Sequence, residues 1–485
     1  MSKLPDILQS GEAARLIPVV ADTSKENRSA SILLAGMSAV DQLSKALLEG
    51  IGLRLGKRSV VTCYTEVVPK LKLEGSRLRP DGLVTVKIGS RTWSALIEAK
   101  IGKAILNLEQ VEGYLQLAKL NGIDAVITVS NQFAALPTHH PLTVAKSLRR
   151  GVDLFHWSWK HVLTQATLVA TEGNFQSEVQ RFVLNEMIRY YDHDSVGVHG
   201  FDRMNPEWKD LVLMVRSGAP LSKAKAEVAN SVAAWHQESR DLALIMSRKV
   251  GRNVVLRMPN SHKKDPLLRL KNDSEKLAKT ATLDCELEIP DAASSLIVSV
   301  DLKRRVITCE MRVDAPKGKT TARSRIKWLL KQLVEAEPGE VFVSTVWPGR
   351  STRTQCSLSE AIVDPVLLEL GGNGLKPQAF EVQLVKDLAG KMSGQRTFIE
   401  TIEITVPQFY HNVGERLRAW VAPPPKIVEQ PNVETKFGLD PEPGLVSDLV
   451  VEQGQSLTGE HDLRENQQTL SSINSETGLA IGTEE

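Results

Sequence analysis

Residues 78–100 constrain the fold of this chain more than any other stretch, because they contain the pattern of two β-strands joined by a very short turn. The segments LVTVKI and WSALIEA are rich in β-branched and apolar residues, which favour strands. Gly89-Ser90 stands between them, and a glycine at the first central position is typical of a two-residue type II′ turn. The sequence therefore predicts an antiparallel hairpin in which Ile88 pairs with Arg91.

This register brings three polar residues to one face of the hairpin. It places Asp81 opposite Glu98, and opposed residues in an antiparallel pair have Cβ atoms about 4.5–5.5 Å apart. Lys100 lies on the same face as Glu98, because side chains alternate along a strand. Ala99 points away, but its carbonyl group can turn toward the carboxylates. A turn two residues longer would place Asp81 opposite Lys100 instead and would still keep the three side chains together.

These groups suit one kind of chemistry. Two carboxylates and a carbonyl oxygen are hard ligands that leave room for several waters, a combination suited to Mg²⁺ or Mn²⁺. An adjacent lysine can hold or deprotonate an attacking water and offset charge on a phosphorane-like transition state. Uncatalysed phosphodiester cleavage is so slow that an enzyme must lower the barrier by about 20 kcal/mol, and a metal ion is the usual means.

The hairpin belongs to a longer series of predicted elements in the order α-β-β-β-α-β, followed by a further strand and helix. The all-apolar run at 125–129 is typical of a strand buried on both faces. In the motif FHWSW, Phe155, Trp157 and Trp159 lie on one strand face, where core packing is favoured over base stacking. The predicted ranges are helix 26–53, strands 59–68, 78–88 and 92–100, helix 107–120, strands 125–129 and 152–159, and helix 161–170.

Three motifs in this region resemble those of a known family. RPDG begins at Arg79, IEAK follows with Lys100 as its last residue, and QVEGY carries Gln110 and Tyr114 one helical turn apart. Together with the element order they resemble the PD-(D/E)xK nuclease superfamily, and QxxxY resembles its RecB-like branch. The resemblance covers about residues 26–165, which is a third of the chain.

The resemblance implies a role for each matching residue. Asp81 and Glu98 would bind the metal together with the Ala99 carbonyl, and Lys100 would be the catalytic lysine. Gln110 and Tyr114 would orient the lysine or the scissile phosphate. Glu26 and Glu66 occupy the places where family members add glutamates that complete the metal site or shape the surroundings of the lysine.

Each assignment has a plainer alternative. Glu98 and Lys100 could form a solvated strand edge beside a turn aspartate. Glu26 and Glu66 could be a helix-start dipole partner and a solvated strand residue. Gln110 could be the capping-box partner of Asn107.

The predicted fold class is an α/β restriction-endonuclease-like N-terminal domain with a mixed central sheet flanked by helices, an α+β C-terminal domain and a disordered acidic tail. The second domain is expected to contain a long helix, a hairpin turning at Lys303-Arg304, and a further helix and strand. The tail is rich in Pro, Gln, Asn, Ser and Glu and lacks periodicity. The expected boundaries are a lead-in at 1–25, the nuclease-like domain at 26–199, the accessory domain at 200–422 and the tail at 423–485.

Charge is unevenly distributed along the chain. The formal net charge is only +2, but residues 427–485 carry −10 and the remaining residues +12. Within the accessory domain, Arg323, Lys327 and Lys331 form a basic stripe at helical spacing. Such stripes often follow phosphates, although a solvated helix face is the alternative. A basic body suits a polyanionic partner, and the family resemblance implies that this partner is DNA.

Other classes of protein are excluded or not expected. Four cysteines without paired spacing exclude a disulfide scaffold, and no run of apolar residues is long enough for a membrane helix. The N-terminus lacks the pattern of a signal peptide, so a cytoplasmic protein with no membrane contact is expected. A Walker motif, a GxGxxG motif and a Cys/His zinc spacing are all absent from the sequence.

The oxygen ligands suit Mg²⁺ or Mn²⁺, and the family resemblance implies a Mg²⁺-dependent deoxyribonuclease in which Mn²⁺ can substitute. An endonuclease with a role in restriction or defence is expected from the family alone. Two other hypotheses stay open: a nucleic-acid-binding module that does not cleave, and a scaffold that recruits partners through its accessory domain and tail. Dimerisation stays open as well.

Overall fold

The fold is described from a computed structural model of the 485-residue chain. The described residues are 5–16, 24–75, 78–223, 225–349, 351, 353–422 and 424. The predicted acidic tail at 423–485 lies outside them, apart from Pro424. Both sheets belong to one compact unit.

The first sheet has six strands in the order β1 to β6. Strands β1 to β4 are antiparallel, whereas β4, β5 and β6 are parallel, so the sheet is mixed as the sequence predicts. Every residue of β5 is buried, because helices cover both faces of the sheet. The strands are β1 (Leu8–Ala13), β2 (Val60–Pro69), β3 (Gly82–Ile88), β4 (Arg91–Ala99), β5 (Ala125–Ser130) and β6 (Asp153–Ser158).

Among the described residues, five helices cover this sheet. Helices α1, α2, α4 and α5 share one hydrophobic core with one face of the sheet, and α3 packs on the opposite face. Their bounds are α1 (Lys25–Ala39), α2 (Asp41–Glu49), α3 (Leu108–Leu120), α4 (Trp159–Glu172) and α5 (Glu178–Asp192).

The predicted hairpin register is confirmed. Ile88 pairs with Arg91 and Gly82 with Ile97, with Gly89 at a φ of 62° in the turn. The pairing ends at Gly82, so β3 is shorter than predicted and Asp81 lies just before it.

Two local predictions are wrong, and the predicted lead-in contributes a strand to the sheet. Residues 26–53 form two helices rather than one, because the backbone of Val40 is extended. The apolar spacing continues across this break, because both helices bury side chains in the same core. The lead-in contains β1, which pairs with β2. Trp159 begins α4 rather than ending a strand, because the Ser158 side chain accepts a hydrogen bond from the His161 N–H and caps the helix.

The second sheet has seven antiparallel strands in the order β12-β11-β13-β10-β9-β8-β7. It contains the predicted hairpin of β9 and β10. The strands are β7 (Val255–Leu256), β8 (Thr282–Glu288), β9 (Leu296–Asp301), β10 (Val306–Asp314), β11 (Val341–Val346), β12 (Thr354–Ser357) and β13 (Ala379–Asp387).

Helices pack against this second sheet, and all of them except the short helix at 260–264, which buries no residue, form the larger core with it. The predicted long helix is present as α7. The helices are α6 (Trp208–Arg216), α7 (Ala226–Val250), α8 (Asn260–Lys264), α9 (Pro266–Thr280), α10 (Ala322–Gln332), α11 (Leu358–Val363) and α12 (Gln395–Phe409).

The four cysteines are free thiols. No helix within the described part of the chain is long and apolar enough to cross a membrane.

Candidate active site

Asp81, Glu98 and Lys100 meet at the end of β4, on the face of the sheet that α3 covers. Glu98 is 2% exposed, whereas the Lys100 side chain keeps 17% of its surface accessible. Oδ2 of Asp81 accepts a hydrogen bond from the Ala99 N–H at 2.7 Å, which fixes the carboxylate against the next strand. Lys100 Nζ donates to Glu98 Oε1 at 2.5 Å and lies 3.4 Å from the Ala99 carbonyl oxygen. The side chains of Asp81, Glu98 and Lys100 therefore lie close together, with the Ala99 carbonyl beside them.

Gly82 allows Asp81 to take this position. A Cβ atom at Gly82 would lie 2.3 Å from Leu34 Cδ1 on α1 and 2.8 Å from the Tyr64 carbonyl oxygen on β2. Only glycine lets β3 begin this close to both neighbours. The residue that follows the aspartate in RPDG thus has a packing reason to be glycine.

Helix α3 supplies the second layer of the site. Asn107 caps the helix by accepting a hydrogen bond from the Gln110 N–H, while the Gln110 side chain points away from the cap. Gln110 Nε2 donates to Glu98 Oε1 at 2.8 Å and to the Tyr114 hydroxyl at 3.2 Å. The Tyr114 hydroxyl in turn donates to the Arg79 carbonyl oxygen at 3.1 Å. Helix α3 therefore links Glu98 to the RPDG segment.

The two additional glutamates differ in their contacts. Glu26, near the start of α1, lies 3.6 Å from Lys100 Nζ. Glu66 pairs instead with Arg79 and accepts a 3.4 Å hydrogen bond from Asn27 Nδ2. Its φ of 53° is unusual for a residue other than glycine, and it lies where the β1–β2 register shifts. The structure therefore brings Glu26 to the lysine and directs Glu66 to Arg79.

The site holds more negative than positive charge. Burial and the negative charge of Glu98 raise the pKa of Asp81 to about 7. Burial also raises the pKa of Glu98, and hydrogen bonding to Lys100 offsets this only in part. For Lys100, burial is outweighed by the hydrogen bond and charge of Glu98, so its pKa is raised and it is a cation. Carboxylates with perturbed pKa values that lie together at the ends of neighbouring strands are typical of a functional site.

The donor set fits a hard divalent cation that keeps some of its waters. The hydrogen bonds described above engage Asp81 Oδ2 and Glu98 Oε1. The other carboxylate oxygens, Asp81 Oδ1 and Glu98 Oε2, take no part in these bonds and could bind a cation. With the Ala99 carbonyl these are three oxygens. Across the described residues, no three His, Cys, Asp or Glu side chains form a metal-binding group. Mg²⁺ does not require one, since it is often bound through one or two carboxylates plus substrate phosphates.

The sequence did not indicate one further contact at this site. The indole N–H of Trp159 donates to the Lys100 carbonyl oxygen at 2.8 Å. No local pattern signals a bond between residues this far apart in the chain.

The stripe of Arg323, Lys327 and Lys331 lies on α10 beside the second sheet, and all three side chains are exposed.

No family model matches the chain, and a search of curated proteins finds no match either. The function proposed below therefore rests on the geometry of the chain's own residues.

Proposed function

We propose that Asp81, Glu98 and Lys100 form the active site of a Mg²⁺-dependent nuclease that hydrolyses phosphodiester bonds of DNA. The observation that carries this proposal is their convergence at one end of a mixed sheet, where the half-buried Asp81 and the buried Glu98 lie beside one lysine. The order of elements and the motifs are similar to those of the PD-(D/E)xK superfamily.

Asp81, Glu98 and the Ala99 carbonyl would hold the cation. When bound, a divalent cation lowers the pKa of a coordinated water and neutralises charge on the phosphate. Lys100 holds the attacking water beside the carboxylates and offsets negative charge that develops on the phosphate. Its side chain reaches the solvent-accessible rim of the site, where Glu26 contacts it.

Gln110 and Tyr114 hold Glu98 in place rather than contacting substrate. Tyr114 is 1% exposed, and its hydroxyl is committed to the Arg79 carbonyl. The Gln110 amide fixes Glu98 Oε1, so the other oxygen has a defined direction. Orientation of this kind keeps reacting groups within the narrow tolerance that catalysis requires.

The test is to incubate the purified chain with linear, circular and single-stranded DNA and with RNA, in Mg²⁺, in Mn²⁺ and in chelator. We expect DNA cleavage with either cation and none with chelator. Cleavage of closed circles would identify an endonuclease, the expected mode. A Glu98→Gln variant purified in parallel controls for contaminating nucleases.

Two outcomes would contradict the proposal. Salt-sensitive DNA binding without cleavage would favour a binding module. The absence of both DNA binding and DNA cleavage would favour a scaffold.

A further inference from the structure

Both backbone polar groups of Lys100 are held by hydrogen bonds. Its N–H donates to the Val129 carbonyl oxygen on β5 at 2.7 Å. Its carbonyl accepts from Trp159 Nε1 at 2.8 Å. Because the peptide units on both sides are fixed, the direction in which the side chain leaves the backbone is fixed as well. Lys100 lies just past the last residue of β4, where no further ladder bonds with β3 hold it.

Trp159 is itself held from two directions. Its ring is completely buried and stacks on Tyr191, with ring centroids 5.2 Å apart and an interplanar angle of 29°. The Tyr191 hydroxyl donates to the Ser29 carbonyl oxygen at 2.7 Å. Ser29 lies one helical turn after Glu26, which contacts Lys100. A chain of contacts therefore links the lysine backbone to the helix that carries its outer carboxylate.

We propose that Trp159 is a positioning residue for Lys100, acting through the hydrogen bond from its indole N–H to the lysine carbonyl. This inference rests on the proposed function, in which Lys100 holds water at the scissile phosphate. A phenylalanine would fill most of the same space without this donor. The bond, rather than the volume, then sets where the lysine amine lies.

The chain offers a matched control two residues earlier. Trp157 is also completely buried and packs in the same core. Its indole N–H makes no hydrogen bond to any residue that the structure describes. Trp157→Phe and Trp159→Phe therefore remove the same atoms from the same core, but only the second breaks a bond to Lys100.

The experiment compares both variants with the wild type in two assays. The first measures kcat and KM for DNA cleavage. The second measures how fast an amine-reactive acetylating reagent modifies Lys100, read by peptide mass spectrometry without metal or DNA. We expect Trp159→Phe to lower kcat by about 10- to 100-fold with little change in KM, and to speed modification of Lys100. Trp157→Phe should stay near wild type in both assays.

The two assays separate failure of this inference from failure of the proposed function. If the wild type cleaves and the two variants behave alike, Trp159 is only a packing residue and the inference is wrong. If the wild type does not cleave, the nuclease proposal fails, while the modification rates still test whether Trp159 holds Lys100.

A second variant covers the case in which Trp159→Phe does not fold. Tyr191→Phe keeps the stacked ring and removes only the hydroxyl that bonds to Ser29. We expect faster modification of Lys100 in this variant too, and an unchanged rate in the folded protein would overturn the inference.

Discussion

At the scale of single residues, the site is defined by an imbalance of charge. Glu98 is buried, Asp81 is half-buried, and Glu26 adds a third carboxylate at the rim. Lys100 is the cation that faces them. Burial and mutual repulsion both disfavour the ionised forms of the carboxyl groups. In the proposed function, a bound divalent cation would relieve that repulsion.

We predict that Asp81→Ala, Glu98→Ala and Lys100→Ala each lower DNA cleavage by at least about 100-fold while the protein stays folded. Asp81→Ala should also weaken Mg²⁺ binding, measured by calorimetry, because it removes one ligand. Lys87→Ala, an exposed change near the turn of the same hairpin, is the control and should cleave normally. Full activity in any of the three site variants would contradict the assignment of that residue to the active site.

At the scale of elements, the start of β3 depends on close packing between a strand and a helix. The Gly82 backbone lies directly against Leu34 of α1 and the carbonyl of Tyr64 on β2. Well-packed cores tolerate added atoms poorly, because neighbours must leave their preferred rotamers. The same packing places Asp81, so stability and site geometry are linked here.

We predict that Gly82→Ala lowers the free energy of unfolding by about 1–3 kcal/mol, measured by urea denaturation. The matched control is Gly390→Ala, since a Cβ there meets no atom within 4 Å and its φ is not in the positive range. Equal stability of the two variants would show that α1 and β2 accommodate the methyl group without strain.

The three cations of the basic stripe on α10 differ in their contacts. Arg323 Nε donates to Glu369 Oε1 at 2.9 Å, so its charge is partly neutralised. Lys327 and Lys331 are exposed on the same helix, while Ile326, Leu329 and Leu330 are buried beneath it. The two lysines are therefore the better candidates for phosphate contacts.

We predict that changing Lys327 and Lys331 to Gln flattens the slope of log affinity against log salt for duplex DNA by up to about 1.8, about 0.9 for each phosphate contact. The loss should be similar on two unrelated sequences, and thermal stability should barely change because exposed charges contribute little to folding. An unchanged slope would make this helix a solvated face.

At the scale of the whole molecule, the two sheets are joined through buried polar groups between α4 and α7. Arg240 Nη2 lies 3.1 Å from His161 Nδ1, and Arg248 Nη1 donates to Thr164 Oγ1 at 2.5 Å. Glu238 is fully buried nearby, and neither of its carboxyl oxygens has a hydrogen-bond partner among the described residues. Burial raises its pKa well above the usual range.

Histidines in the first sheet add a dependence on pH. His156 is buried and bonds to Thr128 Oγ1 and to the Gln132 carbonyl, each at 2.8 Å. Burial lowers its pKa from 6.5 to about 4. Because the unfolded chain takes up this proton more readily than the folded one, the contribution of His156 to stability is present above pH 6.5. It is lost as the pH falls toward 4.

We predict that the free energy of unfolding of the wild type, minus that of His156→Gln, falls by up to about 3 kcal/mol between pH 6.5 and pH 4. Taking the difference cancels the titration of other groups. The measurement is urea denaturation in chelator at half-unit pH steps. Parallel curves for the two proteins would show that His156 is not held neutral in the folded state.

The sequence by itself determined the features that depend on near neighbours in the chain. Turn chemistry at Gly89-Ser90 set the hairpin register, and with it the meeting of Asp81, Glu98 and Lys100. Side-chain alternation put Glu98 and Lys100 on one face, and the spacing of Gln110 and Tyr114 put both on one side of α3. The mixed sheet flanked by helices was also predicted. These relations need only a local geometry of known period.

Tertiary structure alone decided the contacts between distant segments. The pairing of Glu66 with Arg79, the bond from Gln110 to Glu98 and the bond from Trp159 to Lys100 each join different elements. The break at Val40 leaves no mark in the apolar pattern, because both helices face one core. Periodicity records which face of an element is buried, but it contains no information about which partner is buried against it.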